Sequence, residues 1–178
     1  MVIVQEDAPI EPAELIEAFC NTRSHEDGFD RLEGGWFAER GLLRAESRVG
    51  AADLVRARGV REALRELALA NNGEEADLVK AGRILDRQAR RSALAVRFTP
   101  NAELEPGAGG VDGALGRVLA ATAAAMADGS WRRVKACRAE TCRWVFCDRS
   151  RNESRRWCSM EICGNRNKAH SYRARRAK

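Results

Sequence analysis

Hydrophobic positions recur at helical spacing along most of the first 130 residues. The stretch Glu-Pro-Ala-Glu at residues 11–14 predicts a helix start, because proline and acidic side chains favour the first helical turn. Leu15, Ile16 and Phe19 then form the apolar side of this helix. A second, short helix carrying a tryptophan and a phenylalanine is predicted to end near Gly41.

Two longer amphipathic helices are predicted next. The first covers about residues 51–70 and stops at the Asn-Asn-Gly stretch 71–73, a typical C-terminal signal. The side chains of Arg61 and Arg65 are expected on its outer side. The second helix covers about residues 74–90. The inward positions of the two helices are predicted to be Leu54, Val60, Leu64, Leu67, Leu78, Ile84 and Leu85.

The apolar period then changes from helical to alternating. Residues 94–98 alternate between large apolar and other side chains, which predicts a strand, and the Thr-Pro-Asn stretch 99–101 turns the chain into a partner near residues 102–105. Helical spacing returns over residues 111–127 and ends at Gly129. The pattern therefore predicts a mainly α fold in which a helical N-terminal domain contains one small β-hairpin.

Cysteines replace this apolar pattern in the last part of the chain. Cys137, Cys142, Cys158 and Cys163 form two pairs, each with four intervening residues, and fifteen residues separate the pairs. This is the spacing of a tetrahedral zinc site, and four thiolate ligands leave no open position for catalysis. The alternatives are reduced thiols or two disulfides. Because the segment has too few apolar residues for a core of its own, a Zn²⁺ ion that builds the fold is favoured.

The same segment predicts a small zinc finger. Residues 131–136 are expected to be extended, residues 143–146 form a second short strand, and Ser159 is the N-cap of a final helix. The arrangement is a treble-clef-like zinc finger with four cysteine ligands, two short strands and a helix. We therefore divide the chain into residues 1–130, the body, and residues 131–178, the finger.

The net charge of +5 is divided unequally between these two parts. The finger carries 15 Lys or Arg and 4 Asp or Glu, which gives +11, whereas the body carries 16 and 22, which gives −6. A basic segment of this kind is typical of proteins that meet a polyanion, and nucleic acid is the commonest one. The alternative is that the finger adheres to the protein's own acidic body.

Basic side chains flank the second cysteine pair and the final helix. Guanidinium groups suit phosphate oxygens and guanine edges, so these residues are candidates for nucleic-acid contact. They are Arg155, Arg156, Arg166, Lys168, Arg173, Arg175 and Arg176. At helical spacing, Arg166, Lys168 and Arg173 do not share one face. An alternative role for Arg155, Arg156 and Asp148 is a network that supports the loops of the finger.

Aromatic residues are interleaved with these basic positions. If their rings were exposed, they would favour the stacking of single-stranded bases, whereas burial would assign them to the packing of the finger. They are Trp144, Phe146, Trp157 and Tyr172.

The body shows little recognisable chemistry. It contains one histidine, His25, and no serine, cysteine or lysine in a nucleophile motif, so no catalytic residue is predicted and the protein is not expected to be an enzyme. The fifth cysteine of the finger, Cys147, is expected to be a non-ligand thiol, and its neighbours Arg143 and Arg149 favour a lowered pKa. The chain lacks an apolar run of about 18 residues and a signal-peptide start, which predicts a soluble, cytoplasmic protein without a membrane partner.

Several short motifs resemble known families. The stretches 155–160 (Arg-Arg-Trp-Cys-Ser-Met) and 163–166 (Cys-Gly-Asn-Arg), with residues 150–152 before them and 172–175 after them, are similar to the signature of the CGNR zinc-finger family. Residues 19–22 (Phe-Cys-Asn-Thr) resemble the entry motif of the ABATE domain, which commonly precedes such fingers. The resemblance implies a zinc-binding and DNA-binding module in a stress-induced transcription regulator.

Together these observations give a leading hypothesis and two alternatives. The leading one is a zinc-dependent DNA-binding transcription regulator whose body senses a ligand or dimerises, and a homodimer is expected because one finger offers few base contacts. The first alternative is a zinc-stabilised module that binds RNA or another protein. The second is a small-molecule-binding protein or enzyme that uses the N-terminal domain, with Asn21 and Thr22 as candidate ligand-binding residues.

Overall fold

Helices make up most of the body, as seen in a computed structural model that describes residues 11–100 and 102–176. The elements of the body are α1 (Pro12–Cys20), α2 (Gly34–Glu39), α3 (Ala51–Asn71), α4 (Leu78–Arg91), β1 (Leu94–Phe98), β2 (Ala102–Pro106) and α5 (Gly110–Ala127). β1 and β2 form an antiparallel hairpin. The predicted helical body with one small hairpin is therefore confirmed.

The finger begins with a short 3₁₀ turn and contains two small strands. Its elements are the 3₁₀ turn (Ser130–Arg133), β3 (Val134–Ala136), β4 (Val145–Cys147), a π-helical turn (Met160–Gly164) and α6 (Asn165–Arg176). β3 and β4 pair antiparallel, with Lys135 opposite Phe146. The predicted finger of two short strands and a helix is confirmed as well.

The core of the body lies where α1, α3 and α5 meet. Ile16 and Phe19 of α1, Leu64 of α3, and Leu115 and Val118 of α5 are all buried there. Ile16 and Phe19 are three residues apart on α1, as are Leu115 and Val118 on α5, so each pair lies on one face of its helix. This spacing is the physical origin of the apolar pattern in the sequence.

Some predicted boundaries and orientations were wrong. α4 begins at Leu78 rather than at residue 74, because the side chain of Asp77 caps the helix by accepting a hydrogen bond from the backbone N–H of Lys80. Leu78, predicted to point inward, is exposed, and Ala81 is the first buried residue of α4. The predicted extended segment 131–136 starts with the 3₁₀ turn, which buries Trp131.

Arg61 and Arg65 on α3 are buried, although the sequence placed them on the outer side of the helix. The guanidinium of Arg61 donates to both carboxylate oxygens of Asp30 at 2.7 and 2.9 Å and to Glu62 at 2.8 Å. Arg65 donates to the backbone carbonyl of Cys20 at 2.6 Å. These bonds fix the end of α1 and the loop that follows it onto α3. The hydrogen bond from Arg61 lowers the pKa of Asp30 to about 2.

Replacement of Asp30 by asparagine should lower the free energy of unfolding by an amount that depends on pH. The folded-state pKa of Asp30 lies below its ordinary value of 3.8, so the ionised carboxylate contributes stability that is fully present above about pH 4 and is lost as the pH falls toward 2. The pKa difference corresponds to about 2 kcal/mol at neutral pH. Urea unfolding of the wild type and Asp30→Asn at descending pH should show the difference in free energy of unfolding shrinking.

The matched control is Asp86→Asn, which changes an exposed aspartate on α4. Taking the difference between wild type and variant cancels the other titrating groups that the two proteins share. A difference that stays constant from pH 7 to pH 3 would contradict the role assigned to Asp30.

Candidate metal centre and nucleic-acid surface

The four predicted cysteines converge on one point. The Sγ atoms of Cys137, Cys142, Cys158 and Cys163 all lie within 4.8 Å of one another. The Cys142–Cys158 and Cys158–Cys163 sulfur distances are 3.6 and 3.8 Å. A tetrahedral ion with zinc–sulfur bonds of about 2.3 Å requires sulfurs separated by about 3.8 Å. The four thiols are therefore positioned to bind a metal ion, and these distances are too long for disulfide bonds.

Local backbone geometry delivers each pair of cysteines to this point. The backbone N–H of Cys137, directly after β3, donates to the carbonyl of Trp144 at 2.8 Å. Arg143 adopts a positive φ of 51° and so turns the chain from the first pair into β4. In the second pair, the side chain of Ser159 accepts a hydrogen bond from the N–H of Ile162 and caps the π-helical turn, as predicted.

The electrostatics of the thiol cluster favour a bound cation. Hydrogen bonds from the thiols of Cys142 and Cys158 lower the pKa of Cys137 well below the ordinary range of a thiol. Those same contacts raise the pKa values of Cys142 and Cys158. The cluster therefore accommodates one thiolate readily and resists further charges, so four adjacent thiolates need a positive ion among them. A donor set of four thiolates suits zinc.

The two remaining cysteines lie outside this cluster. Cys147 is half-buried at the end of β4, and its backbone N–H donates to the carboxylate of Glu17 at 3.0 Å. Burial and the charge of Glu17 raise the pKa of the Cys147 thiol, so the lowering expected from its arginine neighbours was wrong. Cys20 is buried in the core of the body, and burial raises its pKa to about 12. Neither thiol has the low pKa of a reactive cysteine.

A buried ion pair supports the loop that leads to the second pair of cysteines. The carboxylate of Asp148 is fully buried and accepts hydrogen bonds from Lys135 Nζ at 2.8 Å, from the Ser150 hydroxyl at 2.6 Å and from the Arg155 N–H at 2.8 Å. Burial alone would raise the pKa of Asp148, but these bonds lower it. The ammonium of Lys135 also donates to the carbonyls of Glu153 and Arg155. The loop thus wraps around Lys135.

The finger is fixed to the body through a contact that we call the seam. Val134, Ala136 and Val145 of the finger strands belong to the same buried apolar cluster as the core of the body. The side-chain amide of Asn72, at the end of α3, donates to the carbonyls of Ala136 and Arg156 at 2.8 and 2.9 Å. These contacts cross residue 130, so the finger strands are packed as part of the body's interior.

The candidate ligand-binding residues take part in this packing. The amide of Asn21 donates to the carbonyl of Val145 at 2.8 Å and accepts from its N–H at 2.9 Å. The hydroxyl of Thr22 donates to the carbonyl of Phe19 and accepts from Arg61. Their role in binding a ligand stays a prediction. Beside them lies a polar-lined groove of about 380 Å³, whose other walls include Arg31, Trp36 and Arg40.

The basic candidates for nucleic-acid contact lie on the surface of the finger. The exposed ones are Arg155, Arg156, Arg166, Lys168, Arg173 and Arg176. The side chain of Arg175 lies outside the described residues. The guanidinium of Arg155 lies 4.9 Å over the ring of Phe146 and donates to the carbonyl of Cys158, so it also supports the finger.

Acidic residues of the body pair with part of this basic surface. Glu26 accepts from Arg166 at 2.7 Å, Glu14 lies 3.4 Å from Arg149, and Glu74 lies 3.3 Å from Arg138. The pairs of Glu26 and Glu14 are exposed to solvent and each contributes little free energy, whereas the pair of Glu74 and Arg138 is partly buried. They neutralise the margin of the finger that faces the body.

The aromatic residues of the finger divide into two groups. Phe146 is buried and Trp157 is half-buried, and both pack against the thiol cluster. Trp144 and Tyr172 are more open, with 36% and 55% of their surface exposed. Packing in the finger therefore accounts for the first two rings, and the other two are accessible to a partner.

Within the described residues, no helix is both long and apolar enough to span a membrane.

Comparison with family models gave two matches that divide the chain between them. The model of the CGNR zinc finger matches residues 133–176. The ABATE model, described as "putative stress-induced transcription regulator", matches residues 13–129. A comparison with curated proteins gave no match. Because the ABATE model spans more than half of the sequence, the protein belongs to the ABATE family, with a CGNR zinc finger following the ABATE domain.

Proposed function

We propose that the protein is a zinc-dependent, DNA-binding transcription regulator whose finger contacts DNA. The observation that carries this proposal is the exposed basic surface next to the thiol cluster. Arg156 lies in the loop before the second pair of cysteines, while Arg166 and Arg173 are seven residues apart on α6 and so share one face of that helix. Arginines in this arrangement suit the phosphates of a nucleic-acid backbone.

Zinc would serve structure in this proposal. The thiolates of Cys137, Cys142, Cys158 and Cys163 would hold the ion and fill its coordination sphere, which leaves no position for a reacting water. The ion would fix the loop of Arg156 and the start of α6 relative to each other. The basic side chains would then present a constant spacing to the backbone of DNA.

A groove beside the basic surface offers a place for a nucleotide. It has a volume of about 430 Å³ and is lined in part by Arg138, Trp157, Arg166 and His170. The combination of two guanidinium groups with an indole ring suits a phosphate and its adjoining sugar or base. Since Arg166 pairs with Glu26 in the protein alone, binding would exchange that carboxylate for a phosphate.

The body would be the sensing or dimerising part of the regulator. The groove next to Asn21 and Thr22 supports the alternative of a small-molecule-binding body, whereas the internal hydrogen bonds of both side chains weigh against it. RNA binding remains the alternative for the finger, and the exposed rings of Trp144 and Tyr172 support it.

Removal of Arg166 and Arg173 should weaken DNA binding in a salt-dependent way. Each phosphate contact that is lost should reduce the slope of log K against log salt concentration by about 0.9, so the double variant Arg166→Ala/Arg173→Ala should lose about two from the slope. Fluorescence anisotropy of labelled duplex DNA, titrated with zinc-loaded protein across a salt series, measures this. The matched control is Arg83→Ala/Arg90→Ala, which removes two exposed arginines from α4.

Single-stranded RNA of the same length belongs in the same titration. Tighter binding of RNA than of duplex DNA would replace the proposal by the RNA-binding alternative. Equal losses in the two double variants would mean that the finger makes no special contact. An absence of binding at moderate salt would refute nucleic-acid recognition by this surface.

A further inference from the structure

The β-hairpin of the body has one apolar face that is only partly covered. In its register Leu94 lies opposite Pro106, Val96 opposite Leu104, and Phe98 opposite Ala102, so these side chains share one face of the hairpin. The other face carries Arg97, which pairs with Glu105 at 2.9 Å. The hairpin is thus sharply divided into an apolar and a charged face.

Coverage of the apolar face falls from the base of the hairpin to its tip. Leu94, at the base, packs against the core of the body. Val96 is 52% exposed, and Phe98, at the tip, is 88% exposed, the largest value among the exposed large hydrophobic residues described. A large aromatic ring held in water at the end of a strand favours a partner that covers it.

The hairpin also has open edges. In the described part of the chain its sheet contains two strands, so each strand leaves one edge with backbone groups that no neighbouring strand pairs. Two-stranded sheets are marginally stable, and an exposed apolar edge readily adds another strand. The question is which edge pairs, and with what.

Charge and backbone chemistry separate the two edges. If β2 paired with a second copy of itself about Leu104, Glu103 would lie opposite Glu105 of the partner subunit, and like charges directly opposite each other are unfavourable. Pro106 also lacks the N–H that an added strand would need. Pairing of β1 about Val96 instead places Arg97 opposite Ala95 of the partner subunit, so no like charges lie directly opposite each other.

We propose that β1 pairs antiparallel with β1 of a second copy across a two-fold axis at Val96. This pairing joins two hairpins into one four-stranded sheet with all apolar side chains on the same face. Phe98 at each exposed tip then lies opposite Leu94 of the partner subunit, at the covered base. The surface is therefore self-complementary, as a two-fold interface must be.

A register centred on Val96 provides hydrogen-bond partners for the backbone N–H and C=O groups at the open edge of β1, whichever residues direct those groups toward the edge. If the backbone N–H and C=O groups of Leu94, Val96 and Phe98 face the open edge, Val96 pairs with Val96 of the partner subunit and Leu94 pairs with the partner's Phe98. If those of Ala95 and Arg97 face the open edge, Ala95 pairs with Arg97 across the axis. The interface uses no residue of the finger, so it stands or falls independently of nucleic-acid binding.

Sedimentation velocity of the zinc-loaded protein over a concentration series tests the interface. The wild type should shift from monomer to dimer as concentration rises. Val96→Lys places two ammonium groups opposite each other at the axis and should abolish the dimer. Ala102→Lys is the matched control, because it adds the same charge to the same apolar face on the other edge, and it should retain the dimer.

A cysteine at the axis gives an independent readout. Residues paired directly across antiparallel strands have Cα atoms about 4.5–5.5 Å apart, which a disulfide can bridge. Val96→Cys should therefore form a covalent dimer on mild oxidation, whereas Ala102→Cys and the wild type, with its native cysteines, should not. A wild type that stays monomeric at every concentration, or a dimer that Ala102→Lys disrupts and Val96→Lys does not, would overturn the proposal.

Discussion

Chelation of the metal should unfold the finger and should also make the body less stable to urea. Metal binding contributes about 10–16 kcal/mol in zinc-finger peptides, and the thiol cluster with its few packed neighbours has no comparable apolar core. Because Val134, Ala136 and Val145 belong to the core of the body, loss of the finger strands also exposes apolar surface on the body. We expect a lower urea midpoint for the whole protein and a loss of helical circular dichroism from α6.

Single cysteine variants separate the metal from general effects of thiol removal. Cys163→Ser should lose bound zinc, measured as metal per chain, and should unfold as the chelated protein does. Cys147→Ser removes a thiol of the same segment outside the cluster and should keep one zinc per chain. Full metal content in Cys163→Ser, or a body whose urea midpoint is unchanged by chelation, would contradict this account.

Replacement of Lys135 by methionine should be among the most destabilising single changes in the protein. The methionine fills a similar volume but leaves the carboxylate of Asp148 buried without its cation, and removing one partner of a buried ion pair costs about 3–5 kcal/mol. The carbonyls of Glu153 and Arg155 lose a donor as well. Urea unfolding of the zinc-loaded protein should show a midpoint lower by about 2 M, for an m-value of about 2 kcal/mol/M.

Two comparisons make this measurement specific. Lys80→Met changes an exposed lysine on α4 and should alter the free energy of unfolding by less than about 0.5 kcal/mol. The double variant Lys135→Met/Asp148→Asn should be less destabilised than the sum of its two single variants, because it removes the unpaired charge. Strict additivity would show that the pair contributes no coupling.

The features that the sequence predicted well depend on local spacing. The spacing of the two cysteine pairs predicts which four thiols form the cluster, and the alternation over residues 94–98 predicts β1. The N-cap of Ser159 also depends on neighbours within three residues. In each case the deciding contacts lie close along the chain or follow a fixed period.

The features that sequence reasoning missed depend on distant partners. The spacing of Arg61 and Arg65 along α3 is that of an outer helix face. Their guanidinium groups are nevertheless buried, because Arg61 binds Asp30, 31 residues away, and Arg65 binds the carbonyl of Cys20, 45 residues away. Asn72 has the pattern of a helix stop, while its amide bonds carbonyls 64 and 84 residues away. Lys135 left one usable signal, since a lysine between Val134 and Ala136 in a buried strand needs a partner.

The seam determines whether this finger could be transplanted. Many zinc fingers work as portable units because their outer surface is complete once the metal is bound. Here the side of β3 and β4 that faces the body depends on hydrogen bonds to backbone carbonyls of the finger, donated by Asn21, Arg65 and Asn72 of the body. A graft onto another protein would expose Val134 and Val145 and leave backbone groups without these partners. Recombination of this finger with a new N-terminal domain would therefore succeed only where that domain supplies an equivalent apolar surface and amide donors.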